Sequence, residues 1–309
     1  MLHKRAWARS GILALLLLLP SSAWAAEQGA QARSWASVGL SALAAGCVAL
    51  LVTLAIEKLG GRKGGLLGTV PTTIVPAALG LAHAAPSAEA LQAALHSVPV
   101  GTLLNTLFLL LWRVVPPRLP RWRFEVRLAA MVALSVGAWS VAATGLTLAV
   151  RHIPREGPWL ALLGWGVTGL AGVLGVLACL RARPAPAGTR KVGPLALVAR
   201  GLMAASAIGV AVWLSTAVGP VVAGVASVFP AIFLTTMVSL WVAQGESVQA
   251  GAVGPMMLGS TSVPTFALLG AQTLPWLGPW GGAAVAWVGA VLCVTLPAWW
   301  WLGRRAAPP

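Results

Sequence analysis

Residues 159–180 read WLALLGWGVTGLAGVLGVLACL, an uncharged apolar run preceded by Arg155-Glu156-Gly157-Pro158 and closed by Arg181. As an α-helix rising ~1.5 Å per residue it would reach about 33 Å, enough to cross a hydrocarbon core of about 30 Å. The run is continuously apolar, with no alternation for a half-buried strand, and lipid requires backbone groups to pair within the segment, so a helix is expected. Working outward, further runs of crossing length fall at 36–56, 65–83, 97–114, 128–150, 198–217, 219–243, 249–272 and 280–302. With 58% hydrophobic and 9% charged residues and a mean hydropathy of +0.86, the expectation is an all-α, polytopic transmembrane bundle of nine spans.

The charges orient it. The net charge is +15, from 21 Lys and Arg against six Glu and no Asp. Placed on alternating faces, one set of loops holds Lys58, Arg62 and Lys63, then Arg113, Arg118, Arg121, Arg123 and Arg127, then Arg181, Arg183, Arg190, Lys191 and Arg200, and finally Arg304 and Arg305. The other set holds Arg33, Arg151 and Arg155. Such a bias predicts that the first set and the C-terminus are cytoplasmic, in a bacterial inner membrane. It also explains the basic balance without nucleic acid.

The N-terminus carries His3, Lys4, Arg5 and Arg9, an apolar run from Gly11 to Leu19, and then Pro20-Ser21-Ser22-Ala23-Trp24-Ala25. This is the layout of a signal peptide over 1–25 cleaved after Ala23-x-Ala25, with an uncleaved first span as the alternative. Trp35, Trp112, Trp122, Trp159, Trp241, Trp276, Trp280 and Trp299 to Trp301 lie near run ends and are expected to anchor at the interfaces. Trp139, Trp165, Trp213 and Trp287 lie deeper, where packing or lining a cavity is expected.

An offset of 159 residues sets Gly60, Gly65 and Pro71 on Gly219, Gly224 and Pro230, and Thr102 on Thr261. The spans before and after follow in register, so 36–150 and 198–302 read as two four-span repeats joined by the span at 159–180. Five crossings separate equivalent points, so the second repeat is expected to lie inverted, an architecture that places solute sites at the repeat interface. Pro71 and Pro76 in one half, and Pro220 and Pro230 in the other, predict broken helices whose carbonyls need hydroxyls or a solute as partners. Candidate substrate-binding residues are therefore Thr69, Pro71, Thr72, Thr73 and Asn105 in the first half, and Phe229, Pro230, Thr235, Thr236, Ser260 and Thr261 in the second. The plain alternative is close packing through Gly and hydroxyls bonded to their own helix.

Other chemistry is disfavoured. No carboxylate falls within a span, which argues against an acid relay. Cys47, Cys179 and Cys293 are far apart in apolar runs and read as buried small hydrophobes, and no His or Cys spacing suggests a metal. There is no HExxH, GxSxG or phosphate loop, and neither an enzyme nor a cofactor is expected. The Gly65, Gly68, Pro71 and Thr72 set, with Gly219-Pro220-xxx-Gly224 and Phe229-Pro230, resembles small bacterial membrane proteins of the GlpM-like type, a likeness that implies a multi-helix hydrophobic fold and no substrate. The expected function is a transporter or facilitator of a small neutral or anionic solute. The alternative is a membrane scaffold or accessory subunit of an envelope assembly. The expected partners are the lipid bilayer and that solute, with self-association left open.

Overall fold

The computed structural model describes residues 35–36, 38–47, 50, 70–120, 122–150, 159–181, 193–217, 220–244 and 246–304. The expected signal peptide, Thr69 and the turn carrying Lys58, Arg62 and Lys63 lie outside the described residues. Among those described, every regular element is helical: α1 (Val38–Cys47), α2 (Ile74–Ala84), α3 (Ala88–Val114), α4 (Phe124–Val150), α5 (Trp159–Leu180), α6 (Pro194–Ala217), α7 (Pro220–Ala226), α8 (Ala231–Gln244), α9 (Glu246–Ser260), α10 (Ser262–Ala290) and α11 (Leu296–Arg304). Five stretches are long and apolar enough to cross a membrane: Ala88–Val114, Phe124–Ala149, Trp159–Leu180, Val221–Val242 and Gly251–Arg304. The chain is a multi-pass, all-α membrane protein.

Several expected boundaries move, each for a local reason. α3 starts at Ala88 instead of near 97, because the Ser87 hydroxyl accepts the Ala90 N–H at 3.2 Å and caps the helix early. The 65–83 run is non-helical at 70–73, and α2 begins at Ile74. Pro76 therefore falls in a first turn, where no N–H is needed, and does not break the helix as expected. The 219–243 run splits into α7 and α8 around a turn at 227–230, and the 249–272 run begins at Glu246 and is interrupted at Thr261.

Gly251–Arg304, 54 residues, would extend about 81 Å as one straight helix and must fold back. It does so at Gly278, whose φ of 73° and ψ of 168° are open only to glycine. Thr273 Oγ1 donates to the Gly282 carbonyl at 2.8 Å, and a Cβ on Gly282 would lie 2.5 Å from the Leu274 backbone. Farther along, Gly270 meets Ala286 and Gly289 meets Leu269, so the two arms run antiparallel. The returning arm contains a π-helical turn, Val291–Thr295, ahead of Pro297, which has no N–H to give the Cys293 carbonyl.

Two seams organise the interior. In the first, Gly46 packs on Gly201 and Ala205, Gly209 on Ala42 and Val38, and Gly201 on Leu50, so α1 and α6 cross antiparallel through small residues. In the second, α5 acts as a ruler: Gly164 lies against His96, Pro99 and Leu268, Gly175 against Leu258, and Arg113 Nη1 donates to the Ala178 carbonyl at 2.7 Å. Rising numbers in α3 thus match rising numbers in α5 and falling numbers in α9–α10, and α3 is antiparallel to them. The hydrophobic window of α3 is 72% buried against 22% for α4 and 28% for α5, so α3 is the axis and α4 and α5 face outward.

Arginines collect at one end. Arg113 caps the carbonyls of Ala178 and Arg181, Arg118 that of Val114, and Arg127 those of Pro116 and Pro120. Those of Ala178, Arg181 and Val114 lie at helix C-termini, which favour cations. Arg304, stacked 3.8 Å over the Trp300 ring, closes α11 near α9 at that same end. Trp35, Trp122, Trp159, Trp276, Trp280, Trp299 and Trp300 are exposed, as anchoring requires. Trp112 and Trp241 are not anchors: both are fully buried and meet edge to face at 5.8 Å. Cys47 and Cys293 are exposed on the apolar surface, contrary to the expected burial, and Cys179 is half-buried.

Candidate functional site

α7 ends at Ala226 because Pro230 lies ahead and cannot donate back into the helix. The chain turns through Ser227 to Pro230, with Ser227 N–H to the Ala223 carbonyl at 2.8 Å and Phe229 N–H to that of Ala226 at 3.0 Å. It resumes at Ala231, with Leu234 N–H on the Pro230 carbonyl at 2.8 Å. Among the described residues no backbone N–H reaches the Val228 carbonyl, which is met from across the bundle: Asn105 Nδ2 donates to it at 2.7 Å. Trp139 Nε1 donates to Asn105 Oδ1 at 2.8 Å, and its ring meets Phe229 edge to face at 5.2 Å. A carbonyl can only accept and an indole N–H can only donate, so these partners fix which way the Asn105 amide points.

The same helices touch again nearby. Ser97 Oγ is 2.7 Å from the Ala94 carbonyl and 3.1 Å from that of Val221. A Cβ on Gly224 would overlap both the Ala94 carbonyl and Ser97 Oγ, so α7 lies directly on α3. A Cβ on Gly101 would strike Val228 and Val225, so the turn rests on α3 as well.

A second break lies at the same level. Ser260 ends α9, Thr261 is a turn, and Ser262 starts α10. Thr261 approaches Gly172 of α5, one turn beyond Thr168, and the α5 ruler sets this level opposite the middle of α3. Thr102, Asn105, Thr106, Thr168, Ser260, Thr261, Ser262 and Thr265, all buried, thus form a polar layer across α3, α5, α9 and α10.

Of the residues expected at the site, the structure brings together Asn105, Phe229 and Pro230 at the first break, and Ser260 and Thr261 at the second. Pro230 is buried and Phe229 half-buried. Thr235, on α8, is buried and bonds the Ala231 carbonyl at 2.9 Å; Thr236 is half-buried beside it. Pro71, Thr72 and Thr73 form the non-helical lead into α2, where Thr72 N–H donates to the Val70 carbonyl at 2.7 Å. α2 packs on α6 and α10, and no bond joins this lead to the 227–230 turn among the described residues. The hydroxyls of Thr102, Thr106, Thr168 and Thr265 donate to carbonyls four residues back, and those of Ser260 and Thr261 three back, so the Val228 carbonyl, in the turn ahead of Pro230, is met by an amide and not by a hydroxyl. Trp139 was legible only as a deep Trp; its role as the partner of Asn105 comes from the packing of α4 on α3. Trp165 and Trp213, also read as deep, are exposed on the outer surface, and Trp287 packs half-buried against the core.

No family model, curated protein or solved structure matches the chain.

Proposed function

We propose that this protein is a transporter or facilitator of a small neutral or anionic solute in a bacterial inner membrane, with its C-terminus cytoplasmic. In this reading 36–150 and 198–302 are inverted repeats joined by α5. One observation carries it: two helix breaks, at 227–230 and at Thr261, meet the buried middle of α3 at one level, in surroundings where lipid offers no water to the freed backbone groups. Irregular backbone at that depth is characteristic of a site or a cavity wall. The inversion is supported by the two seams, since α1 with α6 and α3 with α9–α10 are the pairs related by the 159-residue offset, and each pair packs antiparallel. The arginine-rich end supports the orientation. The solute would contact the α7–α8 turn, Asn105 and the lead into α2 from Pro71 to Thr73. Its charge is limited by the absence of any carboxylate in the middle of a span, Glu89 and Glu125 lying in first turns.

Flux tests this. Purified protein in proteoliposomes, screened for counterflow across metabolite classes, should show saturable exchange of at least one class. Pro230→Ala, which lets α7 run on into α8, should abolish the exchange while the protein stays folded. Exchange of no class, or full exchange in Pro230→Ala, overturns the reading. An accessory or scaffold role is the second reading, favoured by the internal pairing of Asn105, Ser97 and most buried hydroxyls. It predicts no flux and co-purification of a defined envelope partner.

A further inference from the structure

The buried hydroxyls of the second break are already spent as donors. Ser260 Oγ gives its proton to the Met257 carbonyl at 2.8 Å, Thr261 Oγ1 to that of Leu258 at 2.6 Å, and Thr265 Oγ1 to that of Thr261 at 2.9 Å. What these oxygens retain is lone pairs. The Ser260 carbonyl, at the negative C-terminal end of α9, gets no return bond from residue 264, because that residue is Pro264. The break is therefore rich in acceptors and poor in donors.

A second observation comes from the returning arm of the hairpin. Thr295 is buried, 6% exposed, and its Oγ1 has no partner among the described residues. Buried threonines elsewhere, Thr102, Thr106, Thr147, Thr168 and Thr265 among them, bond the carbonyl four residues back. For Thr295 that carbonyl belongs to Val291, and the π-turn gives it to the Leu296 N–H. The hairpin register, 273 against 282, 270 against 286 and 269 against 289, continues over about two turns to set Thr295 opposite Ser262. A stranded hydroxyl thus falls at the level of the stranded carbonyl, with Pro297 withholding a donor on its own arm as Pro264 does on the other.

We propose that the α9–α10 break and the Thr295 π-turn together bind a monovalent cation of sodium's size. Neutral hydroxyl and carbonyl oxygens suit an alkali ion. A divalent ion would call for carboxylates, and neither the break nor the π-turn has one. A buried water, accepting from the Thr295 hydroxyl, would leave unfolding independent of sodium, which the salt comparison below reads. The inference concerns binding and stands apart from whether the chain moves a solute, so its test uses no flux.

Detergent-purified full-length protein is titrated with radioactive sodium, and its thermal unfolding is followed in NaCl, KCl and choline chloride at equal ionic strength. Saturable sodium binding is expected, with an upward Tm shift in NaCl absent in choline chloride. Thr295→Val and Thr261→Val should each weaken binding by about tenfold, the loss of one oxygen ligand. Thr295→Ser, which keeps the hydroxyl, should bind as the wild type does and reports on misfolding in the valine variant. Equal Tm in NaCl and choline chloride with no saturable binding overturns the proposal. So does sodium binding that both valine variants leave unchanged.

Discussion

Replacing Asn105 by Leu keeps a side chain of similar size on α3 and removes both of its hydrogen bonds. Two buried groups are then stranded, the Val228 carbonyl and the Trp139 indole N–H, held until then at 2.7 and 2.8 Å. An unmet buried polar group costs roughly 1–3 kcal/mol, which places the sum near 2–6 kcal/mol. Hydrogen bonds between membrane helices measure weaker, averaging ~0.6 and reaching ~1.7 kcal/mol, because the unfolded chain in lipid also finds partners. The indole lies beside Phe229 with little alternative, but a small shift could satisfy it elsewhere. The carbonyl lies at a helix break with no backbone donor to replace the amide. We therefore expect a loss of about 3 kcal/mol. Reversible unfolding in mixed micelles, followed by tryptophan fluorescence, measures it. A cycle with Trp139→Phe isolates the indole bond, with an expected coupling of about 0.6–1.7 kcal/mol. A loss below about 0.5 kcal/mol for Asn105→Leu, or a coupling of zero, would refute the view that this amide holds the break.

Gly224→Ala forces α7 off α3, because its Cβ would overlap the Ala94 carbonyl and Ser97 Oγ; we expect little folded protein by size-exclusion recovery, whereas Gly137→Ala, with open space around it, should be recovered as the wild type is. Arg113→Ala uncaps the C-terminal carbonyls of α5 and should cost about 1–2 kcal/mol in the same unfolding assay, less than Asn105→Leu, because the end of this helix is partly wet. In a protein freed of Cys47, Cys179 and Cys293, single cysteines at Arg123 and Gly278 should label from opposite faces of oriented vesicles; labelling from one face would break the assigned orientation.

Hydropathy made the membrane class, the helical class and the position of most runs legible, because lipid accepts few alternatives for a long apolar segment. Gly and Pro marked the break at 227–230 for the same reason: a missing donor is a covalent fact. Asn105 stood out as a polar residue within a run. What Asn105 bonds was not legible, since Val228 is 123 residues away and Trp139 sits on another helix. Trp112 and Trp241 misled because nearness to a run end says nothing about which neighbours cover a ring. Their burial follows from α8 packing beside α3.

The sequence alone determined that the chain lives in lipid as helices and where its backbone would be short of donors. Both follow from local chemistry, the apolarity of a run and the missing N–H of proline. Only the tertiary structure decided what lies against each break: an amide from α3 on the Val228 carbonyl at one, and at the other the returning arm with its π-turn. A hydrogen bond between helices depends on register and rotation about each axis, which side-chain packing sets and which no segment encodes by itself.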